Sequence, residues 1–149
     1  MGLSQKCQYA LRAVFELAKR QGQGPTTMGE IAAAQVIPPR FLELILGELR
    51  KAGFVESRRG KQGGYLLRVS PQRLKVGTIL RFVDGPVGPV QCVRADEGAD
   101  CPLHGRCAFL AMWERARDAV EAVYDSTTFE DLIEEERRRP GEYVADYRI

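Results

Sequence analysis

Residues 27–67 read TMGEIAAAQVIPPRFLELILGELRKAGFVESRRGKQGGYLL, and this stretch decides the fold. Thr27 can cap a short helix that contains Ile31, Ala32 and Ala33 and breaks at Val36-Ile37-Pro38-Pro39. Pro39 suits the first turn of the next helix, because the N–H it lacks is one that a helix start leaves unpaired anyway. In that helix Phe41, Leu42, Ile45, Leu46 and Leu49 form an apolar face, and Gly53 ends the run. A short helix, a brief turn and a second amphipathic helix make a helix-turn-helix. Two short strands follow, near Phe54–Ser57 and Tyr65–Val69. Between them lies Arg58-Arg59-Gly60-Lys61-Gln62-Gly63-Gly64, with glycines for positive φ and three cations at the tip. A basic hairpin directly after a candidate recognition helix is a wing.

Outward from this centre, apolar residues at Tyr9, Leu11, Val14, Phe15, Leu17 and Ala18 recur at helical spacing behind a capping Ser4, and Gly22, Gly24 and Pro25 end that first helix. Past the wing, a helix is expected over about Val76–Val83, then a loop rich in Gly, Pro and Asp from Asp84 to Arg106. A long helix is predicted from near Cys107 to near Tyr124, with Phe109, Met112, Trp113, Ala116, Ala119, Val120 and Val123 as an apolar stripe suited to pairing with another helix. Thr128-Phe129-Glu130-Asp131 resembles a capping box opening a last helix to about Arg139. The fold class expected is mainly α with a small β-wing, a winged helix-turn-helix domain plus a long dimerisation helix. Its divisions are 1–83 for the DNA-binding domain, 84–106 for a cysteine-containing loop, 107–139 for the dimer helix and C-terminal helix, and 140–149 for a loose tail.

Charge divides along the same lines. Residues 1–81 hold 14 Lys or Arg against 5 Asp or Glu, whereas residues 82–149 hold 8 against 15, so the overall +2 conceals a basic front and an acidic back. The 44% hydrophobic and 28% charged content is that of a folded chain and excludes wholesale disorder. No run approaches the ~18–20 apolar residues of a membrane span, and the opening MGLSQKCQYALR lacks a signal peptide's pattern, so a cytoplasmic protein without membrane contact is expected. Enzymatic chemistry is not expected, since there is no phosphate-binding glycine loop, no HExxH and a single histidine.

Arg40 and Glu43 stand near the start of the recognition helix. Arginine can pair with guanine O6 and N7 and glutamate can accept from cytosine N4, so both are expected in the major groove of double-stranded DNA. Arg58, Arg59 and Lys61 at the wing are expected to meet the DNA backbone, and a dimer would read a palindromic operator.

Cys92, Cys101 and Cys107 are spaced C-x8-C-x5-C. Three thiolates on one loop suit a soft metal or an iron-sulfur cluster. His104 would turn the set into a three-Cys, one-His zinc site, and three idle cysteines are a third reading. Cys7, alone on the first helix, reads as a small buried hydrophobe.

Leu3-Ser4 through Tyr9-Ala10-Leu11, Phe41-Leu42-Glu43 to Leu49-Arg50-Lys51-Ala52-Gly53-Phe54-Val55, and Arg58-Arg59-Gly60 with Gly63-Gly64-Tyr65-Leu66-Leu67 together resemble the Rrf-two family of winged-helix regulators over about residues 1–135. The resemblance implies a homodimeric transcriptional regulator, a repressor or an activator with repression the leading expectation, and the three cysteines resemble its cluster-binding branch, whose cluster state changes DNA preference. It also implies that Arg59 enters an A·T-rich minor groove. Some members complete the cluster with a histidine three residues after the last cysteine, where this chain has Leu110. Others use a carboxylate from the partner's N-terminal region, where it has Gln8. The fourth ligand is therefore open among His104, Cys7, Asp100, Gln8 and a small molecule, as is the choice between a 2Fe-2S and a 4Fe-4S cluster. The alternative function is a winged-helix regulator without a cluster, answering to a partner protein or small ligand, with zinc or free thiols in the loop.

Overall fold

The structure, a computed structural model, describes residues 2–94 and 100–139. The tail expected at 140–149 lies outside these residues, as does the middle of the cysteine loop at 95–99. Six helices and one two-stranded antiparallel sheet are described, in the order α1 (Gln5–Lys19), α2 (Met28–Gln35), α3 (Pro39–Lys51), β1 (Val55–Arg58), β2 (Gly64–Leu67), α4 (Val76–Asp84), α5 (Leu110–Ser126) and α6 (Phe129–Arg138), with a 3-10 turn at Gln91–Val93 before α5.

The caps explain where the helices start. The Ser4 side chain accepts from the Cys7 amide at the head of α1. Thr27 and Glu30 form a reciprocal capping box on α2, and Thr128 and Asp131 form the same box on α6. Each box satisfies backbone N–H groups that a helix start otherwise leaves unpaired. Pro39 occupies the first turn of α3 as its φ predisposes it to do.

Packing follows from the apolar spacing. Ala10, Val14 and Leu17 of α1, Leu42, Ile45, Leu46 and Leu49 of α3, and Ile31 of α2 are buried in one core with Val55 and Leu67 of the wing. Phe41, read as part of the α3 apolar face, is instead 52% exposed and leans against the Tyr9 ring at 5.9 Å. It lies at the edge of the face, so the core closes without it. Phe129 and Ile133 of α6 enter the same core, with Phe129 fully buried. Burial of a side chain of that size contributes about 1.5–3 kcal/mol. Backbone bonds from Phe129 N to Leu74 O (3.1 Å) and from Val76 N to Thr127 O (2.9 Å) fasten the start of α6 beside that of α4. The C-terminal helix is thus built into the N-terminal core of its own chain.

The turn between α2 and α3 contains Val36 with φ 52° and ψ 53°. A β-branched residue is disfavoured in this left-handed region, where glycine is usual. Arg12 holds the turn by donating to the carbonyls of Gln35 and, at 3.1 Å, Val36. Gln35 in turn donates to Glu16 at 2.7 Å, and Glu16 also accepts from Arg20 at 2.7 Å. Burial pushes the Glu16 carboxyl up, but the hydrogen bonds from Gln35 and Arg20, with the charges of Lys19 and Arg20, outweigh it and hold it below the usual carboxylate range.

Candidate functional site

Four core-facing leucine and isoleucine side chains set the rotation of α3, so the opposite stripe is fixed by helical spacing: Arg40, Leu44, Gly47 and Lys51. Arg40 and Glu43 are both exposed, with Glu43 to one side of the stripe. Arg40 and Glu43 are the pair expected from the sequence; Leu44 and Gly47 are not among the expected residues, although the i, i+4, i+7 spacing from Arg40 marks them. Two exposed polar contacts also join α3 to its neighbours. Lys6 of α1 bridges Glu48 at 2.7 Å, and Arg50 donates to Ser57 of β1 at 3.3 Å.

The wing pairs Val55 with Leu67 and Arg58 with Gly64 at its ends. Its glycines serve two needs. Gly60 has φ 104°, and Gly64 combines φ 149° with an approach to the Thr26 carbonyl so close that a Cβ would lie 2.5 Å from it. That approach lets Thr26 bridge to Tyr65, which joins the wing to the lead-in of α2. Arg58 ends β1 and bridges Glu56 at 3.3 Å, so one of the three expected wing cations is partly neutralised. Arg59 and Lys61 are exposed in the loop and make no ion pair among the described residues.

The cysteines occupy the connection between α4 and α5. Cys92 sits in the 3-10 turn, while Cys101 and Cys107 flank a run of turns, and all three are half-buried free thiols. The long helix starts at Leu110, three residues later than Cys107, with Leu110 N bonded to Cys107 O at 3.3 Å. His104 is exposed, and its amide donates to Cys101 O at 2.9 Å. Among the described residues, no three Cys, His, Asp or Glu side chains are gathered closely enough to hold one metal ion. The chemistry of the donor set, three free thiols between Cys92 and Cys107, is of the soft kind that an iron-sulfur cluster takes.

Cys7 is fully buried against Leu80 and Val87. Burial, reinforced by the charge and hydrogen bond of Asp84, pushes its thiol up to about 12, which keeps it protonated and inert. Gln8 is exposed and its amide donates to Leu3 O at 3.2 Å.

No residue of α5 is buried, although the helix runs for 17 residues. Its two apolar faces differ. Val120 and Tyr124 pack against the Leu80, Val87 and Cys7 cluster, and Arg81 of α4 forms a salt bridge to Asp125. Phe109, just before the helix, and Met112 and Val123 within it are 61%, 46% and 60% exposed. With Ala116 and Ala119 they recur at alternating spacings of three and four, the seam of a two-helix pairing.

A helix-turn-helix followed by a two-stranded basic wing defines the winged-helix class of DNA-binding proteins. The sequence pattern of Rrf2, described as an iron-dependent transcriptional regulator, matches residues 3–135. The chain is 41% identical over 132 residues to the HTH-type transcriptional regulator CymR of Bacillus subtilis, covering 89% of each. It is 32% identical over 133 residues to the regulator IscR of Pectobacterium carotovorum, covering 89% of this chain and 79% of that one. Among solved structures, it resembles CymR, the global cysteine regulator of B. subtilis, with a TM-score of 0.74, 40% identity and 91% and 98% of the two chains covered. T. potens IscR gives the same TM-score, 0.74, at 31% identity, with 99% and 95% covered. The chain therefore belongs to the Rrf2 family of transcriptional regulators, DNA-binding proteins that are not enzymes. Among the described residues, no helix is long and apolar enough to cross a membrane.

Proposed function

We propose that this regulator acts as a cytoplasmic homodimer that binds a palindromic operator and adjusts its grip according to the state of Cys92, Cys101 and Cys107. The observation that carries the reading is the juxtaposition of the cysteine segment with α5. Arg117 of α5 donates to the carbonyl of Val93, next to Cys92, at 3.1 Å. A change at the thiols is thereby connected to the helix whose exposed seam suits a second copy of this chain.

In this reading Phe109, Met112, Ala116, Ala119 and Val123 pair α5 with its symmetry mate. The two α3 helices then enter successive major grooves about 34 Å apart. Arg40 and Glu43 face base edges, while Arg58, Arg59 and Lys61 follow the phosphates or the minor groove. The three cysteines would hold an iron-sulfur cluster, which supplies a centre sensitive to iron supply, oxygen and nitric oxide. The exposed His104 is a candidate fourth ligand, and an exchangeable small molecule is the other. Residues 1–83 act as the DNA-binding unit, with α6 packed into their core, the segment from 84 to Cys107 as the sensor and α5 as the dimer-forming helix.

The likeness to CymR favours a second reading, in which free thiols, or a zinc ion, answer to a small ligand or partner protein without a cluster. Anaerobic purification followed by iron and sulfide analysis and an absorption spectrum separates the two. Coloured protein with matched iron and sulfide supports the cluster, and colourless protein with zinc or no metal supports the second reading.

A further inference from the structure

We propose that Leu44 is a base-reading residue that contacts the 5-methyl group of thymine in the operator, and that Gly47 is glycine so that α3 can approach the bases closely enough for it to do so. The inference rests on the reading that α3 enters the major groove, and extends it to the chemistry of the sequence being read.

Leu44 is 66% exposed. It lies on the stripe directly opposite Leu42, Ile45, Leu46 and Leu49, between the cations Arg40 and Lys51. A large apolar side chain is costly to leave in water there, and the cations on either side draw a polyanion to it. Base edges in the major groove offer hydrogen-bonding groups and one apolar group, the methyl of thymine. An apolar side chain held over those edges therefore has one complementary target, an A·T pair.

Gly47 is the independent observation. It lies one turn beyond Leu44 in the interior of α3, where glycine is less favourable than alanine. Nothing in the fold asks for it: a Cβ built there meets no atom within 4 Å, and its φ is not in the positive region. Space inside the protein does not explain the missing side chain. A surface approaching from outside does, since only glycine allows a groove wall or base edge to reach the helix backbone.

The test uses the full-length protein and a duplex obtained by selection from a randomised pool, together with copies in which single thymines are replaced by uracil. That replacement removes the methyl group alone. Wild-type protein is expected to lose about fourfold in affinity at one thymine position per half-site, the worth of one methyl contact. Leu44→Ala is expected to bind the thymine duplex more weakly by a similar factor and to bind the uracil and thymine duplexes equally. Gly47→Ala is expected to raise the melting temperature while lowering operator affinity at least tenfold, opposite signs that a purely structural role does not produce.

Wild-type indifference to uracil at every position would overturn the assignment of Leu44. So would an equal loss for Leu44→Ala on both duplexes, which would mark a structural or protein-partner role. Wild-type affinity for Gly47→Ala would overturn the close approach. Arg40→Ala distinguishes these failures from failure of the underlying reading: if α3 does not enter the groove, Arg40→Ala and Gly47→Ala both bind normally, whereas loss of binding in Arg40→Ala with no uracil effect removes Leu44 alone.

Discussion

Arg117 reaches from the second turn of α5 to the Val93 carbonyl, 3.1 Å away, and with Arg81 and Glu121 it lines a cavity of about 420 Å³ beside the cysteine segment. Arg117→Ala should release the 3-10 turn from α5, because it removes the charge-assisted bond between them. Hydrogen exchange should quicken at Val93 and Arg94, whose amides bond to Val90 and Gln91. The difference in operator affinity between the two states of the cysteines should shrink. Unchanged exchange with an unchanged difference would show that α5 senses the thiols by another route.

Alanine at Cys92, Cys101 or Cys107 should abolish visible absorption and bound iron, because each removes a soft ligand. Cys7→Ala should keep both, since that thiol is sealed beneath Leu80 and Val87. Full iron and sulfide in a variant lacking Cys101 or Cys107 would sink the assignment.

Operator affinity should fall steeply with salt as bound phosphates release counterions. Arg59→Ala and Lys61→Ala should each lower the slope of log affinity against log salt by about 1, while Glu43→Ala should relax base preference and leave the slope alone. The Arg58 change should matter less than that of Arg59, because Arg58 is already bridged to Glu56. A salt-independent affinity would remove the phosphate contacts from the proposal.

Sedimentation should report monomers for Val123→Asp or Met112→Asp, whose side chains point away from the rest of their own chain. A charge at Val120 is a poorer test, because it also disturbs the contact with Leu80 and would unfold as readily as dissociate. An intact dimer in the first two variants would move the interface off this seam.

The depressed Glu16 carboxyl makes a pH prediction. Its stabilising contribution is present above the unfolded glutamate value of about 4.3 and is lost as pH falls through the lower folded value. Glu16→Gln should destabilise the protein at neutral pH by about 1–3 kcal/mol, the cost of leaving Arg20 and Gln35 with weaker partners. The variant should also lose part of the acid-side slope in a series of denaturation curves. An equal loss of stability at pH 3 and pH 7 would mean that the side chain acts only by filling space.

The local signals were legible along the chain because they depend on neighbours only a few residues away. Ser4, Thr27 and Thr128 each cap the helix that they were expected to cap, and Pro39 starts α3. The three cysteines were legible as a chemical class, since thiol spacing is written directly in the sequence. What the spacing could not supply is their gathering around a common centre, which requires loop geometry that no run of residues specifies.

Apolar periodicity determined that α5 had apolar material to bury, but it grouped Val120 in one stripe with Met112, Ala116 and Val123. The tertiary structure decided that Val120 and Tyr124 turn toward α4 while Met112 and Val123 face outward, because that choice depends on where Leu80 and Val87 are placed by segments dozens of residues earlier. The same is true of Phe129, which seals the core formed by α1 and α3, and of Val36, whose left-handed turn is unfavourable locally and is held by Arg12 from another helix. Local chemistry sets each element; long-range contacts, which can outweigh a residue's own conformational preference by a few kcal/mol, set how the elements meet.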